Sequence, residues 1–556
     1  MRRSVLVSVL VWSLGACSAP EAPTAPGVAI EVDATAPGRA LEPVWSYFGY
    51  DEANYTTTAE GKELLGVLAA SSSAPVYTRT HFLFNSGDGR AALKWGSTNM
   101  YTEDESGAAV YDYTLLDQIM DATVESGARP FFELGFMPKA LSTRPEPYEN
   151  SSTYTLDGGS FYPPRDYGKW GALVGAWAEH AKQRYPEAEK TWQWELWNEP
   201  DLPYWEGTPE EYNQLYDYTE AALHAVLPEA PLGGPAVAGG GSLFFRKFLE
   251  HCAVGTNALT GKTGTRLDLV SFHAKGGVSV KDGHVQLGLG NQLRLHRAGF
   301  QAVKAWPQLE GTPIVISEAD PDGCAACPVS LKAANAYRTS PAYGAYVAAM
   351  MKRSLQLAEQ EGVSLRGVLT WAFTFPEAPY FAGYRELSSH GVHLPVLNAF
   401  KLLGALRGAQ LPVVSSGALP LEEILIKSVR EEAEVDGIAA LDGDVVRILV
   451  WNYHDDLVPA EPVRVTLRVQ LPSAYAARAQ ITHTRVDAEH GDAFATWAKQ
   501  GSPETPSASQ LDELHQAMQP VELEAGRLVE VVGGRATLSF ELPRFGLSLV
   551  ELAPAP

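Results

Sequence analysis

Eight short strand-like runs, each followed by a segment of helical periodicity, constrain this chain more than any other feature. The runs fall at 45–50, 75–81, 130–136, 191–197, 232–236, 267–273, 313–318 and 366–371. Residues 113–126 carry Leu115, Leu116, Ile119, Met120 and Val124 at three- and four-residue spacing. Residues 167–185 carry Trp170, Leu173, Val174 and Trp177 in the same way. Thr208, Pro209 and Glu211 open another helix with the pattern of a capping box. Eight strands alternating with helices predict an α/β fold, a (β/α)8 TIM barrel with a parallel sheet. An open doubly wound sheet is the rival. No Gly-rich phosphate loop follows the first strand, and Gly239-Gly240-Gly241 lacks the spacing of a nucleotide motif.

After about residue 406 the pattern changes. The runs 445–451, 463–469, 535–542 and 545–552 are short and turn-bounded, with no helical crossovers between them. They predict an accessory C-terminal β-sandwich. Residues 28–32 are strand-like too and are candidates to pair into it, while 487–519 form a polar, helical insertion. The expected organisation is a barrel over 28–405 and a sandwich over 406–556.

Chemistry concentrates at two strand ends. Trp192-Gln193-Trp194-Glu195-Leu196-Trp197 alternates like a strand and then breaks at Asn198-Glu199-Pro200. Proline cannot continue a ladder, so Asn198 and Glu199 belong at the rim. Pro313-Ile314-Val315-Ile316-Ser317-Glu318 is a buried-type apolar run that also ends in a glutamate. Two strands of one parallel barrel ending in glutamate put both carboxyls on the same rim. Glycoside hydrolysis needs that arrangement, with one carboxyl to protonate the leaving group and one carboxylate to attack or to activate water. Arg79 ends the second strand and is a candidate to keep Glu318 ionised. Asn198, His81, His273 and Trp371 stand at strand ends as candidate sugar-binding residues. A lone core histidine, an ordinary salt-bridge arginine and a packing tryptophan are the plainer readings of the same positions. Glu133 and Glu195 read as structural. No paired-histidine motif supports a metal site, and no cofactor is expected.

The N-terminus reads as a leader. Arg2 and Arg3 precede an apolar stretch too short to span a bilayer, followed by Leu14-Gly15-Ala16-Cys17. That end resembles a bacterial lipobox, which implies cleavage before Cys17, lipid attachment there and anchoring, with Ser18 pointing to the outer membrane. Residues 1–17 are then the signal and 18–27 a tether; an ordinary secretory signal is the alternative. Outside the cytoplasm, Cys324 and Cys327 suggest a disulfide, with a pair of buried thiols as the rival. The formal net charge of -23 repels polyanions and excludes nucleic acid as an expected partner.

The residues resemble glycoside hydrolase family 39, its β-xylosidases in particular. The likeness runs through Trp197-Asn198-Glu199-Pro200, Glu133 to Leu141, Pro163 to Trp170 and Val270-Ser271-Phe272-His273. In the C-terminal part it includes Glu489-His490-Gly491-Asp492 and Ala495-Thr496-Trp497. The resemblance implies a retaining, exo-acting enzyme with Glu199 as acid/base and Glu318 as nucleophile. Two departures bear on the sugar. The β-xylosidases follow Thr-Glu with Tyr or Phe and Asn, where this chain has Ser317-Glu318-Ala319-Asp320-Pro321. They carry Tyr where this chain has Lys275, which the resemblance puts near the sugar pocket as a candidate sugar-binding residue. The expectations are therefore a β-xylosidase acting on xylo-oligosaccharides, a same-family arabinosidase, galactosidase or α-L-iduronidase-like enzyme, or a glycan-binding surface lipoprotein without catalysis.

Overall fold

A computed structural model describes residues 27–36, 38–153, 155–371, 373–475 and 477–555. The leader with Cys17, and the tether up to residue 26, lie outside the described residues. Among those described, no helix is long and apolar enough to cross a membrane.

Tyr47–Tyr50, Tyr77–Thr80, Arg129–Leu134, Gln193–Leu196, Leu232–Val237, Leu269–His273 and Ile314–Glu318 pair in that order, each parallel to the next. The eighth strand is split. Leu365–Val368 pairs with the seventh strand, and Thr370–Trp371 pairs with the first. One continuous stretch of chain thus joins both edges, and the nine segments make a nearly closed parallel barrel. The strands are buried on both faces, which explains their unbroken apolar runs.

The helices form where periodicity placed them. Tyr167–Arg184 buries Trp170, Leu173, Val174 and Trp177 on one face, with Asp166 accepting from the Lys169 N–H as N-cap. Pro209–Val226 opens with a complete capping box between Thr208 and Glu211.

Beyond the barrel lies one further sheet of eleven strands. Its long strand Val521–Val532 pairs with Arg478–Val486 along most of its length, and through Val531 and Val532 with Arg535–Leu542. That strand joins two arms into a single hydrogen-bonded sheet. Residues from both arms, among them Ile448, Val450 and Leu552 from one and Ile30, Val465 and Leu467 from the other, share one buried apolar cluster. Val28–Asp33 belongs to this sheet, parallel to Val463–Gln470 and antiparallel to Val413–Ser415. The chain therefore starts in the second sheet before it enters the barrel. Arg353 of the barrel helix Pro341–Glu361 donates through Nε to Glu434 of the second sheet at 2.7 Å, and Lys352 Nζ to Asp436 at 2.5 Å.

Candidate active site

The fourth strand stops at Leu196, one residue short of expectation. Within it Glu195 faces the barrel interior and bonds Arg79, while Trp194 packs outward on Phe132 and Trp192. Trp197 then adopts φ 69° and Glu199 φ 43°. These left-handed conformations are strained for residues with side chains, and such strain collects at functional sites. The Glu199 N–H is held by the Ala236 carbonyl at 2.9 Å, and Ala236 is itself left-handed. The turn sends the Trp197 ring into a cluster with Phe136, Trp170 and Trp205. Asn198 is buried beside it.

Arg79 is the hub. It is fully buried and meets Glu195 at 2.5 Å, Glu133 at 3.0 Å and Glu318 at 3.4 Å. It also donates to Asn198 Oδ1 at 3.1 Å. Burial disfavours its charge, but Glu195, Glu133 and Glu318 more than restore it and push the guanidinium up. Nη1 lies 2.9 Å from His81 Nε2. An arginine only donates, so Nε2 accepts and the His81 proton sits on Nδ1, 3.0 Å from Asp51 Oδ1. Burial and then the Arg79 charge hold His81 well below the ordinary imidazole range, so it is neutral. Glu133 is driven the other way: burial, aided by Glu195 and Glu318 against the pull of Arg79, raises its carboxyl well above the ordinary range.

Glu318 and Glu199 meet across His273. His273 Nδ1 lies 2.9 Å from Glu199 Oε1 and 3.6 Å from Glu318 Oε2. One ligand atom from each of the three residues lies within 4.8 Å of the others. Such a trio has the donor set for a cation, but Arg79 and Lys275 already compensate the Glu318 charge, and a third cation there meets their repulsion. Lys275 Nζ is 2.5 Å from Glu318 Oε2 and 3.3 Å from Asp320 Oδ2. Burial alone would raise the Glu318 carboxyl. The His273 ring, the Lys275 ammonium and the Arg79 guanidinium outweigh it and hold the carboxyl well below its ordinary 4.5.

That direction makes a prediction. A carboxyl lowered in the folded state contributes stability above its unfolded value, and the contribution is lost as pH falls through the folded one. The acidic limb of kcat/KM should accordingly lie below 4.5. A pH–rate profile checks it, and a limb at about 5 or above contradicts the charge arrangement.

The structure brings Arg79, His81, Asn198, Glu199, His273, Lys275 and Glu318 into one cluster at the carboxyl ends of the strands. Trp371 lies beneath it, 4.8 Å from His81 and under the Arg79 guanidinium, with 3% of its surface exposed. Little of its face is left for a sugar. Cys324 and Cys327 are bonded, with Cα atoms 5.5 Å apart, and Cys252 is a buried free thiol. Sequence reasoning missed Asp51, Lys94, Asp320 and Arg385. Lys94 has φ 56°, its N–H is held by Glu52 at 2.7 Å, and its ammonium pairs with Asp51. Burial lowers that ammonium to about 8. Asp320 anchors Trp371 N at 2.9 Å and Arg385 at 3.1 Å.

A β-xylosidase of Geobacillus stearothermophilus is 27% identical over 462 residues, 80% of each chain. The α-L-iduronidase of Mus musculus is 26% identical over 568 residues, 95% of this chain and 81% of that one. The crystal structure of the GH39 enzyme from Xanthomonas axonopodis pv. citri superposes with a TM-score of 0.75 at 22% identity, covering 96% of this chain and 98% of that one, a likeness of fold. The family model for glycosyl hydrolases family 39 matches residues 28–536, and this chain belongs to that family.

Proposed function

We propose that this protein is a retaining, exo-acting glycosidase in which Glu318 attacks the anomeric carbon and Glu199 protonates the leaving oxygen. The observation that carries the reading is the approach of the two carboxyls to within 4.8 Å. Double displacement uses about 5–5.5 Å, whereas an inverting enzyme needs roughly 6.5–9.5 Å to admit water. In the first step a Glu318 oxygen bonds to the anomeric carbon. The bond to the leaving oxygen breaks, and that oxygen takes the Glu199 proton. In the second step Glu199 takes a proton from water as the water oxygen attacks the same carbon and frees Glu318. Arg79 and Lys275 support the ionised nucleophile. Because Arg79 occupies Asn198 Oδ1, the amide NH2 is left to donate to a sugar hydroxyl, and the 2-hydroxyl is the one we assign to it.

Glu199→Ala tests the assignment. For a leaving group that departs without protonation the first step survives and the glycosyl-enzyme accumulates. Added azide then restores turnover and yields a glycosyl azide. A variant that azide neither accelerates nor diverts counts against the acid/base role.

For the sugar, β-D-xylosides are the first substrate class, on the likeness to β-xylosidases. A uronoside is the second reading, and Lys275 favours it. Its side chain keeps 17% exposure at the pocket, whereas Arg79 is sealed. A neutral pentose has no group for that charge, whereas a uronate carboxylate does. A panel of aryl glycosides varying sugar and anomer separates the readings. If the substrate is a uronoside, Lys275→Met lowers kcat/KM for the uronide by about 10- to 100-fold more than for the xyloside. Equal losses favour the xyloside.

For the division into a barrel over 28–405, with its first strand joining the other unit, and a β-sandwich over 406–556, support for the sandwich comes from the apolar core that both arms of the second sheet share, Ile30 and Val32 included. Export and lipid anchoring through Cys17 are supported by the leader sequence alone.

A further inference from the structure

Six alternating charges run in single file from the pocket to the Cys324–Cys327 disulfide. Glu318 meets Lys275, and Lys275 meets Asp320. Asp320 Oδ2 lies 3.1 Å from Arg385 Nη1, and Arg385 Nη2 lies 3.2 Å from Asp322 Oδ1. Arg338 Nη2 donates to both Asp322 oxygens at 2.9 and 3.0 Å. The file ends inside the disulfide loop. Arg338 also donates to the carbonyls of Cys324 at 2.6 Å, Cys327 at 3.1 Å and Ala325 at 3.3 Å. A fourth bond, to the Gly383 carbonyl at 3.0 Å, ties in the loop that carries Arg385.

Apart from Lys275, every member of this file is under a tenth exposed. A buried charge is held hard to its partner, because losing that partner strands it away from water. Displacement at one end is therefore passed along the file. The disulfide closes a very short loop, so it does little to the unfolded chain as a whole. Its effect is local, on where the carbonyls around Arg338 stand. Nothing in the two-glutamate chemistry requires this disulfide or Arg338.

We propose that the disulfide loop and Arg338 are a positioning unit for the nucleophile. The carbonyl cage keeps Arg338 in place, and through Asp322, Arg385 and Asp320 it keeps Lys275 against Glu318. Opening the disulfide slows hydrolysis while the barrel stays folded. The inference rests on the reading of Glu318 as nucleophile. Cys324 is only partly buried, so a reductant can reach it. With a water-soluble phosphine, the disulfide takes up two electrons and two protons to become two thiols. The phosphine becomes its oxide, with its oxygen from water.

The test uses the folded protein, treated with tris(carboxyethyl)phosphine, with thiols counted and circular dichroism recorded. On the best aryl glycoside, kcat should fall by about 10- to 100-fold, since small misplacements of reacting groups cost that much. The acidic limb should move to higher pH as Lys275 loosens from Glu318, and reoxidation should restore both. The double variant Cys324→Ser, Cys327→Ser should match the reduced enzyme and ignore the phosphine. Arg338→Lys should keep more of the rate than Arg338→Met. Full kcat with an unmoved acidic limb, in reduced protein or in the double variant, overturns the proposal. If Glu318→Ala is inactive in that same experiment, the nucleophile assignment survives and only the positioning unit fails. If Glu318→Ala is active, the nucleophile reading itself fails.

Discussion

Glu318→Ala lowers turnover of an activated aryl glycoside by roughly four orders of magnitude or more. Without the carboxylate no glycosyl ester forms, and Glu199 alone gives the oxocarbenium-like centre neither a nucleophile nor a counter-charge. The fold survives, because Arg79 keeps Glu195 and Lys275 keeps Asp320 when Glu318 is gone. The stability difference from the wild type has a definite sign with pH. The wild-type carboxyl is lowered in the folded state, so its contribution is present above the unfolded value of about 4.3 and fades in more acidic solution. Thermal unfolding at neutral and at acidic pH should show the two proteins converge as pH falls. Full activity in the variant rejects the nucleophile; unfolding at neutral pH rejects the claim that its partners are satisfied without it.

Arg79→Met has the larger effect on stability. Arg79 is the shared cation for Glu133, Glu195 and Glu318 and fixes Asn198 and the His81 tautomer. Removing one partner of a buried ion pair costs about 3–5 kcal/mol, and here several carboxyls lose the same one. Methionine keeps much of the volume, so the loss is electrostatic rather than a cavity. The variant should unfold at a much lower temperature near neutral pH and recover part of the difference in acid, where the orphaned carboxyls take up protons. Activity should be lost even where the variant is folded, as Glu318 loses a counter-charge and Asn198 its orientation. A variant with wild-type melting temperature at neutral pH would show that the hub is not structural.

The barrel was readable because its strands are apolar on both faces and stop at prolines, glycines or charged residues. Residues at those stops, Arg79, His81, Asn198, Glu199, His273 and Glu318, could be found by position alone, while Lys275 was marked only by its departure from the family's Tyr. Glu195 read as structural, without chemistry, and it proves to be a partner of Arg79. Positions that depend on a loop were not readable. Lys94 and Arg385 arrive from segments without periodicity, and the left-handed turn at Trp197 carries its ring into the cluster with Trp205. A signal was present for Asp320. Glu318, Asp320 and Asp322 alternate from the last residue of the seventh strand into the loop beyond it, and three buried carboxylates so placed require cations from elsewhere. The second sheet shows another limit. Val521–Val532 is absent from the strand-like runs, and nothing in its sequence tells that it joins two arms into one sheet.

The central claim is that Glu318 becomes covalently bonded to the sugar while Glu199 stands on the other side of the anomeric carbon. Glu199→Ala, mixed with the dinitrophenyl glycoside of the preferred sugar and quenched in acid, isolates that state for intact mass and peptide mapping. A mass gain of one glycosyl residue, carried by the peptide containing Glu318 and absent from Glu318→Ala, is the predicted result. No adduct, or an adduct on a different side chain, contradicts it.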